Sequence, residues 1–294
     1  MAILFSRLSA ALGTKNDKFV SCPPEALRWE TRRWRLLEEI LRYQPDLICL
    51  QEVDHFRLLS RALASVGYSG RFVPKPDSPC IYLEENNGPD GCAIFVRDDQ
   101  FEILGEAKRV LEVWKVASNQ VVLLLNLRHR ATGREVAVAT THLKARNGAL
   151  LSTLRNEQGK DLLAFLSEAA EGRPLVLSGD FNADPAEPVY QTLTNASGLG
   201  LRSAYTIPSE QNNRLAAAPS DKGQEPEEEY YTTWKIRETG EQKQVLDYIF
   251  HSEPLRVGAV LEMPTEAEIG ADRLPSLQFP SDHLSLVADF LLAP

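Results

Sequence analysis

The sequence holds no apolar run near the about 18 residues that would cross a bilayer as a helix, so no membrane span is expected. It also lacks any CxxC pair. Its four cysteines, Cys22, Cys49, Cys80 and Cys92, are scattered, and Cys49 lies inside the apolar run DLICLQ. This excludes a disulfide framework or a cysteine-rich zinc site and fits free thiols in a reducing compartment. Positive charge is in deficit as well. Lys and Arg number 32 against 41 Asp and Glu, a net charge of −9, which argues against broad, sequence-blind binding of nucleic acid but leaves room for a local basic pocket. No G-x-S-x-G elbow, Walker A loop or H-E-x-x-H motif occurs, so a serine nucleophile, a P-loop and zincin chemistry are set aside.

What is present is ordinary globular composition, 43% hydrophobic and 25% charged over 294 residues, and the expectation is one domain spanning 1–294. The first residues, MAILFSRLSAALGTKN, carry Arg, Lys and serines but no acid before Asp17. They faintly resemble a mitochondrial presequence, yet Ile3 to Phe5 also reads as a strand; an intracellular, cytoplasmic protein is expected, with a mitochondrial address as the alternative. PPEALRWETRRWRLLEEILRYQPD opens with two prolines suited to a first helical turn and spaces Leu27, Trp34, Leu37 and Leu41 along one face. A second amphipathic helix, Leu154 to Ala170, aligns Leu162, Phe165, Leu166 and Ala169. Strands are expected at DLICLQEV, CAIFV, VVLLLNLRH, EVAVATTHL, PLVLSGD, VLDYIF and LSLVADF. The segment 209–229, polar and rich in Pro, Ala and acid, reads as a long surface loop. Antiparallel-looking runs with inserted helices favour two packed sheets flanked by helices over a doubly wound parallel sheet.

Polar residues recur at the strand ends: Glu52 after LICLQ, His142 after VAVATT, Asp180 and Asn182 after LVLSG, Asp247 in VLDYIF, and Asp282-His283 at the beginning of the last strand. In an extended chain Asp180 and Asn182 face one spot beyond the strand, where a metal, a water or a phosphate could sit; the plain alternative is an Asx turn before Pro185. Each of the other residues has a plain reading too, as a solvated carboxylate or a hydrogen-bonded histidine. Taken together they fit metal-assisted attack of water on a phosphate, since a hard cation such as Mg²⁺ takes carboxylate, amide and water oxygens while an Asp–His pair polarises nearby groups.

The ordered set LQEVD, NNGPDGCAIF, SNQV, THLKAR, SGDFNADP, YTTWKIR, LDYIF and PSDHLSL resembles the endonuclease/exonuclease/phosphatase family, in the branch related to poly(A) deadenylases, from about Ala10 to Phe290. The resemblance implies a four-layer α/β sandwich of two mixed or antiparallel sheets. It implies Mg²⁺ held by Glu52, a water positioned or deprotonated by Asp180, Asn182 and His142 on the phosphate oxygens, Asp247 orienting His283, and Asp282 near the metal or its waters. Within the family it implies a 2′-phosphatase acting on the dinucleotides NADP⁺ and NADPH, with Lys75, Asn119, Lys144, Arg146 and Arg237 lining a small basic pocket. By spacing, Lys144 and Arg146 share a side with His142 if that segment is extended; otherwise they are a solvated pair. A few cations on an acidic chain suit a compact dinucleotide better than a polymer. Two alternatives stand beside it: a poly(A) 3′-exonuclease acting on RNA, and a catalytically weak interaction domain. The second is raised by Phe5-Ser6, where the family carries Trp-Asn close to the metal.

Overall fold

The computed structural model describes residues 18–82, 87–196, 198–205, 230–253 and 255–292, together with the backbone of 2–7. Two six-stranded sheets stack face to face. The first is ordered β13 (Leu255–Val260), β14 (Leu286–Leu292), β1 (Ala2–Arg7), β2 (Leu47–Gln51), β4 (Gly91–Arg97) and β3 (Tyr68–Pro74). The second is ordered β5 (Phe101–Val113), β6 (Val116–His129), β7 (Glu135–His142), β8 (Leu175–Asp180), β12 (Asp247–His251) and β9 (Arg202–Ser203). Each sheet is mixed, with one parallel pair, β1–β2 or β7–β8, in an otherwise antiparallel ladder.

Strand parity builds the layers. Cys49, Ile94, Val121, Leu123, Leu125, Val138 and Val176 fill the space between the sheets. Their neighbours in the chain point outward: Ile48, Leu50 and Phe95 pack on α2 (Trp29–Arg42) and α3 (Phe56–Ala64). On the other side Val122, Leu124, Ala139 and Leu177 pack on α4 (Ala149–Ala169) and α5 (Pro188–Thr194). A strand buried on both faces reads as a continuous apolar run, as VVLLLNL and PLVLSG do. The result is helix, sheet, sheet, helix, the sandwich expected. The α4 face is the anticipated one, with Leu162, Phe165 and Leu166 buried.

Three expectations need correction or a boundary. The helix from Pro24 is two helices, α1 (Pro24–Leu27) and α2, because Arg28 is extended at φ −67, ψ 129. Its break shifts the helical phase, so α2 buries Arg32, Leu36, Leu37 and Ile40, while Trp34 stands 58% exposed. Asp282-His283 precedes the last strand, which starts at Leu286. The loop expected at 209–229 lies outside the described residues, as does the side chain of Ser6; the backbone of Ser6 pairs opposite Leu50 of β2. The hairpin β10 (Thr233–Arg237) and β11 (Gly240–Gln244), an extra layer on one edge, was not anticipated as strand pairing.

Candidate active site

Register places the polar strand ends together. His142 at the end of β7 lies beside Asp180 at the end of parallel β8, and Asp180 lies opposite Asp247 at the start of antiparallel β12. The strands can approach here because Gly179 has no side chain; a Cβ there would overlap the carbonyl oxygen of Thr141. The first sheet delivers its own residue to the same edge. Gln51, the last residue of β2, donates from Nε2 to Thr140 Oγ1 of β7 at 2.5 Å, and Glu52 follows at φ 51, which turns the chain out of the strand.

The pair read as either site or turn forms the turn. The Asn182 backbone N–H donates to Asp180 Oδ1 at 2.8 Å, an Asx turn with Asn182 at φ 50. The Asn182 amide then donates to His142 Nε2 at 2.9 Å and to the Leu143 carbonyl at 3.1 Å. Both amide hydrogens are therefore occupied, and Asn182 in this arrangement holds His142. His142 Nε2 is 3.7 Å from Asp180 Oδ2.

A second relay lies alongside. His283 Nδ1 donates to Asp247 Oδ2 at 2.8 Å, and Thr232 Oγ1 donates to the same oxygen at 2.6 Å. Lys235 Nζ reaches His283 Nε2 at 3.2 Å and Asp282 Oδ2 at 2.8 Å, and Arg237 donates to that Asp282 oxygen at 3.2 Å. Both ring nitrogens of His283 are therefore engaged. Asp180, Asp247, Asp282 and His283 are all at most 2% exposed.

The basic residues divide into two kinds. Lys75 is buried and paired with Asp90 at 2.6 Å; burial alone would lower its pKa, but Asp90 and Glu52 more than offset this and raise it. Arg237 is likewise buried, paired with Asp282 and stacked 4.2 Å over Phe19. Lys144 and Arg146 are exposed and make no ion pair among the described residues. They do not continue the strand: β7 stops at His142, Arg146 turns at φ 78, and the buried Arg155 donates to both carbonyls, at 3.0 Å for Lys144 and 2.7 Å for Arg146. Asn119 accepts from the Asp77 N–H at 2.7 Å and so ties β6 to the loop that carries Lys75.

Sequence reasoning missed Thr232, Lys235, Arg32 and Asp90. Lys235 had a signal, since it precedes Arg237 by two in a strand-like segment and so shares its side. Arg32 had none. It is 1% exposed on α2, donates to the Pro280 carbonyl at 2.7 Å, and its pKa is lowered by burial against the raising pull of Asp282, Asp54 and Glu52.

The donor set fits a divalent cation. Asp180, Asp247 and His283 offer ligand atoms within 4.8 Å of one another, although the His283–Asp247 hydrogen bond already accounts for part of that proximity. Charge is the stronger argument. Glu52, Asp54, Asp90, Asp180, Asp247 and Asp282 form a connected cluster with Arg32, Lys75, Lys235 and Arg237. A buried cluster this rich in carboxylates is the kind of donor set that a hard divalent cation takes.

The family model described as the Endonuclease/Exonuclease/phosphatase family matches residues 12–283. The chain is 52% identical to nocturnin of Drosophila melanogaster over 98% of its own length and 46% of that protein's. It is 47% identical to nocturnin of Homo sapiens, over 96% of this chain and 63% of that one, so it spans about half to two-thirds of these relatives. The solved human nocturnin catalytic domain with bound sulfate anion superposes with a TM-score of 0.77 at 38% identity, covering 100% of this chain and 94% of that one. The chain belongs to the endonuclease/exonuclease/phosphatase family.

Proposed function

We propose that this chain is a Mg²⁺-dependent phosphomonoesterase that removes the 2′-phosphate from NADP⁺ and NADPH, giving NAD⁺ and NADH. The observation that carries the reading is the contrast among its cations. Lys75, Lys235 and Arg237 are committed to internal carboxylates, whereas Lys144 and Arg146, two and four residues beyond His142, are exposed and free for a substrate anion. Two cations suit one compact, doubly charged phosphate; a polymer binder gains affinity by neutralising many. The sulfate held by the human relative is a tetrahedral dianion of the same shape.

In this reading Asp180 orients a water and accepts its proton, water oxygen bonds to phosphorus, the P–O2′ bond breaks, and the ribose 2′-oxygen takes a proton from solvent water and leaves as a hydroxyl. Asn182 fixes His142 at the phosphoryl oxygens. Asp247, itself held by Thr232, fixes the His283 ring from Nδ1, and Lys235 meets its Nε2. Glu52 would hold Mg²⁺, which supplies Lewis-acid stabilisation of the charge that grows on the phosphoryl group. Asp282, bonded by Lys235 and Arg237, balances the cations beside it.

The test compares NADPH with an oligo(A) RNA, both in Mg²⁺. Orthophosphate from NADPH that changes little with salt supports the reading. AMP from oligo(A), falling steeply with salt and without phosphate release from NADPH, would replace it with a 3′-exonuclease.

A further inference from the structure

Strands β5 and β6 project beyond the sheet and close in a two-residue turn, Trp114-Lys115, between paired Val113 and Val116. Both turn residues have positive φ, 52 for Trp114 and 66 for Lys115. Hairpin turns of this kind prefer Asn and Gly, because a Cβ is crowded in the left-handed region. A tryptophan is thus held in an unfavourable backbone state and is also 62% exposed, beside Val116 at 69%. Folding alone gains nothing from either feature.

Behind the turn lies an open, largely apolar cavity of about 440 Å³, walled by Trp114, Val116 and Leu154, with Gln120 at its base and Lys144 and Asn119 at its rim. Its base is built. Gln158, 1% exposed, accepts from the Lys144 backbone N–H at 3.0 Å and donates to Ser118 at 3.2 Å, which locks α4, β6 and the Lys144 loop together. Gln120 is 7% exposed, and its buried Oε1 makes no hydrogen bond among the described residues. A buried amide left in this state is costly unless a ligand completes it.

We propose that this cavity is a nucleobase subsite, in which Trp114 stacks on the aromatic base of the nucleotide substrate while the Gln120 amide meets the edge of the base. Three properties select that ligand. An exposed indole beside aliphatic walls fits a flat aromatic ring; an amide offers both a donor and an acceptor, the pattern a base edge carries; and the rim is shared with Lys144, so the ring is tethered to an anion bound near His142. Asn119 links the other rim to the Lys75 loop and through it to Glu52. The inference rests on the proposed nucleotide-phosphatase reading only for the position of the phosphate; a base in an oligonucleotide would use the same wall.

The test is binding without turnover, in EDTA, of NADP⁺, oligo(A) and inorganic phosphate to the wild-type chain, Trp114→Asn and Trp114→Phe. Asn keeps the turn geometry and Phe keeps a stacking face. Loss of one base stack is worth roughly 10-fold in Kd. We expect Trp114→Asn to weaken NADP⁺ by about that factor, Trp114→Phe to stay near wild type, and the phosphate Kd to be unchanged in both. Unchanged binding of NADP⁺ and oligo(A) in Trp114→Asn would overturn the subsite, as would an equal loss for inorganic phosphate. If oligo(A) alone binds the wild-type chain and loses affinity in Trp114→Asn, the subsite stands and the NADP(H) reading fails.

Discussion

Asp180 and Asp247 face each other directly across the antiparallel β8–β12 pair, both wholly buried, yet each is spoken for by a different histidine: His142 at 3.7 Å from one and His283 at 2.8 Å from the other. Two carboxylates brought this close would ordinarily share a proton or repel. In the proposed mechanism the neighbouring rings divide them into two roles, one beside the attacking water and one behind a positioned imidazole.

The division is testable at Asp247. Asp247→Asn keeps the shape but replaces the acceptor for His283 Nδ1 and Thr232 by an amide that can present its hydrogens to them. The ring should lose its orientation, and the rate should fall about 100-fold or more, the scale on which a positioned acid–base group contributes. KM should move little. A variant with unchanged kcat would remove His283 from the chemistry.

Lys144 and Arg146 should behave differently from Lys75. The first two are exposed and unpaired among the described residues, so Lys144→Ala and Arg146→Ala should leave Tm unchanged and weaken NADPH cleavage by about 1.5–3 kcal/mol each, the range of a charge-assisted hydrogen bond. A small phosphate ester that does not reach them should lose less. Equal losses on both substrates would place these residues in the chemistry.

Lys75→Ala removes one half of a buried pair and strands Asp90. Breaking such a pair costs about 3–5 kcal/mol, so thermal unfolding should show a clear drop in Tm, and a double substitution, Lys75→Met with Asp90→Leu, should recover much of it. A Tm equal to wild type in Lys75→Ala would show that Asp90 is compensated elsewhere.

The four cysteines supply a pH prediction. Burial raises every thiol, Cys49 and Cys92 to about 12 and Cys22 and Cys80 to about 11, against an ordinary value near 9. Because the folded state holds these protons more tightly than the unfolded chain, the stability they contribute is complete below pH 9 and is lost as pH rises through 11 to 12. At pH 8 a thiol reagent should label none of the four before unfolding, and labelling should track global denaturation. Rapid labelling of native protein would contradict the burial.

Much of this site was legible because strand ends announce themselves. An apolar run that stops at Glu52, His142 or Asp180 gives both the strand and the residue at its edge, and β-sheet register does the rest. The side that Lys144 and Arg146 take was not legible, because the alternation rule holds only while the chain is extended, and β7 stops at His142. Arg32 was hidden for the opposite reason: on a helix with three other basic residues it looks like solvated charge, and only the break at Arg28 turns it inward. Thr232 contributes through Asp247 in another strand, a pairing that no local pattern records.

Phosphate release from NADPH, followed against Mg²⁺ concentration for the wild-type chain and Glu52→Ala, tests the proposed activity most directly. The expectation is stoichiometric orthophosphate and NADH from the wild type, abolished by EDTA and restored by Mg²⁺, and loss of most turnover in Glu52→Ala at an unchanged Tm. Near-normal turnover of Glu52→Ala in saturating Mg²⁺, or a wild-type chain that releases no phosphate from NADPH in Mg²⁺, would contradict it.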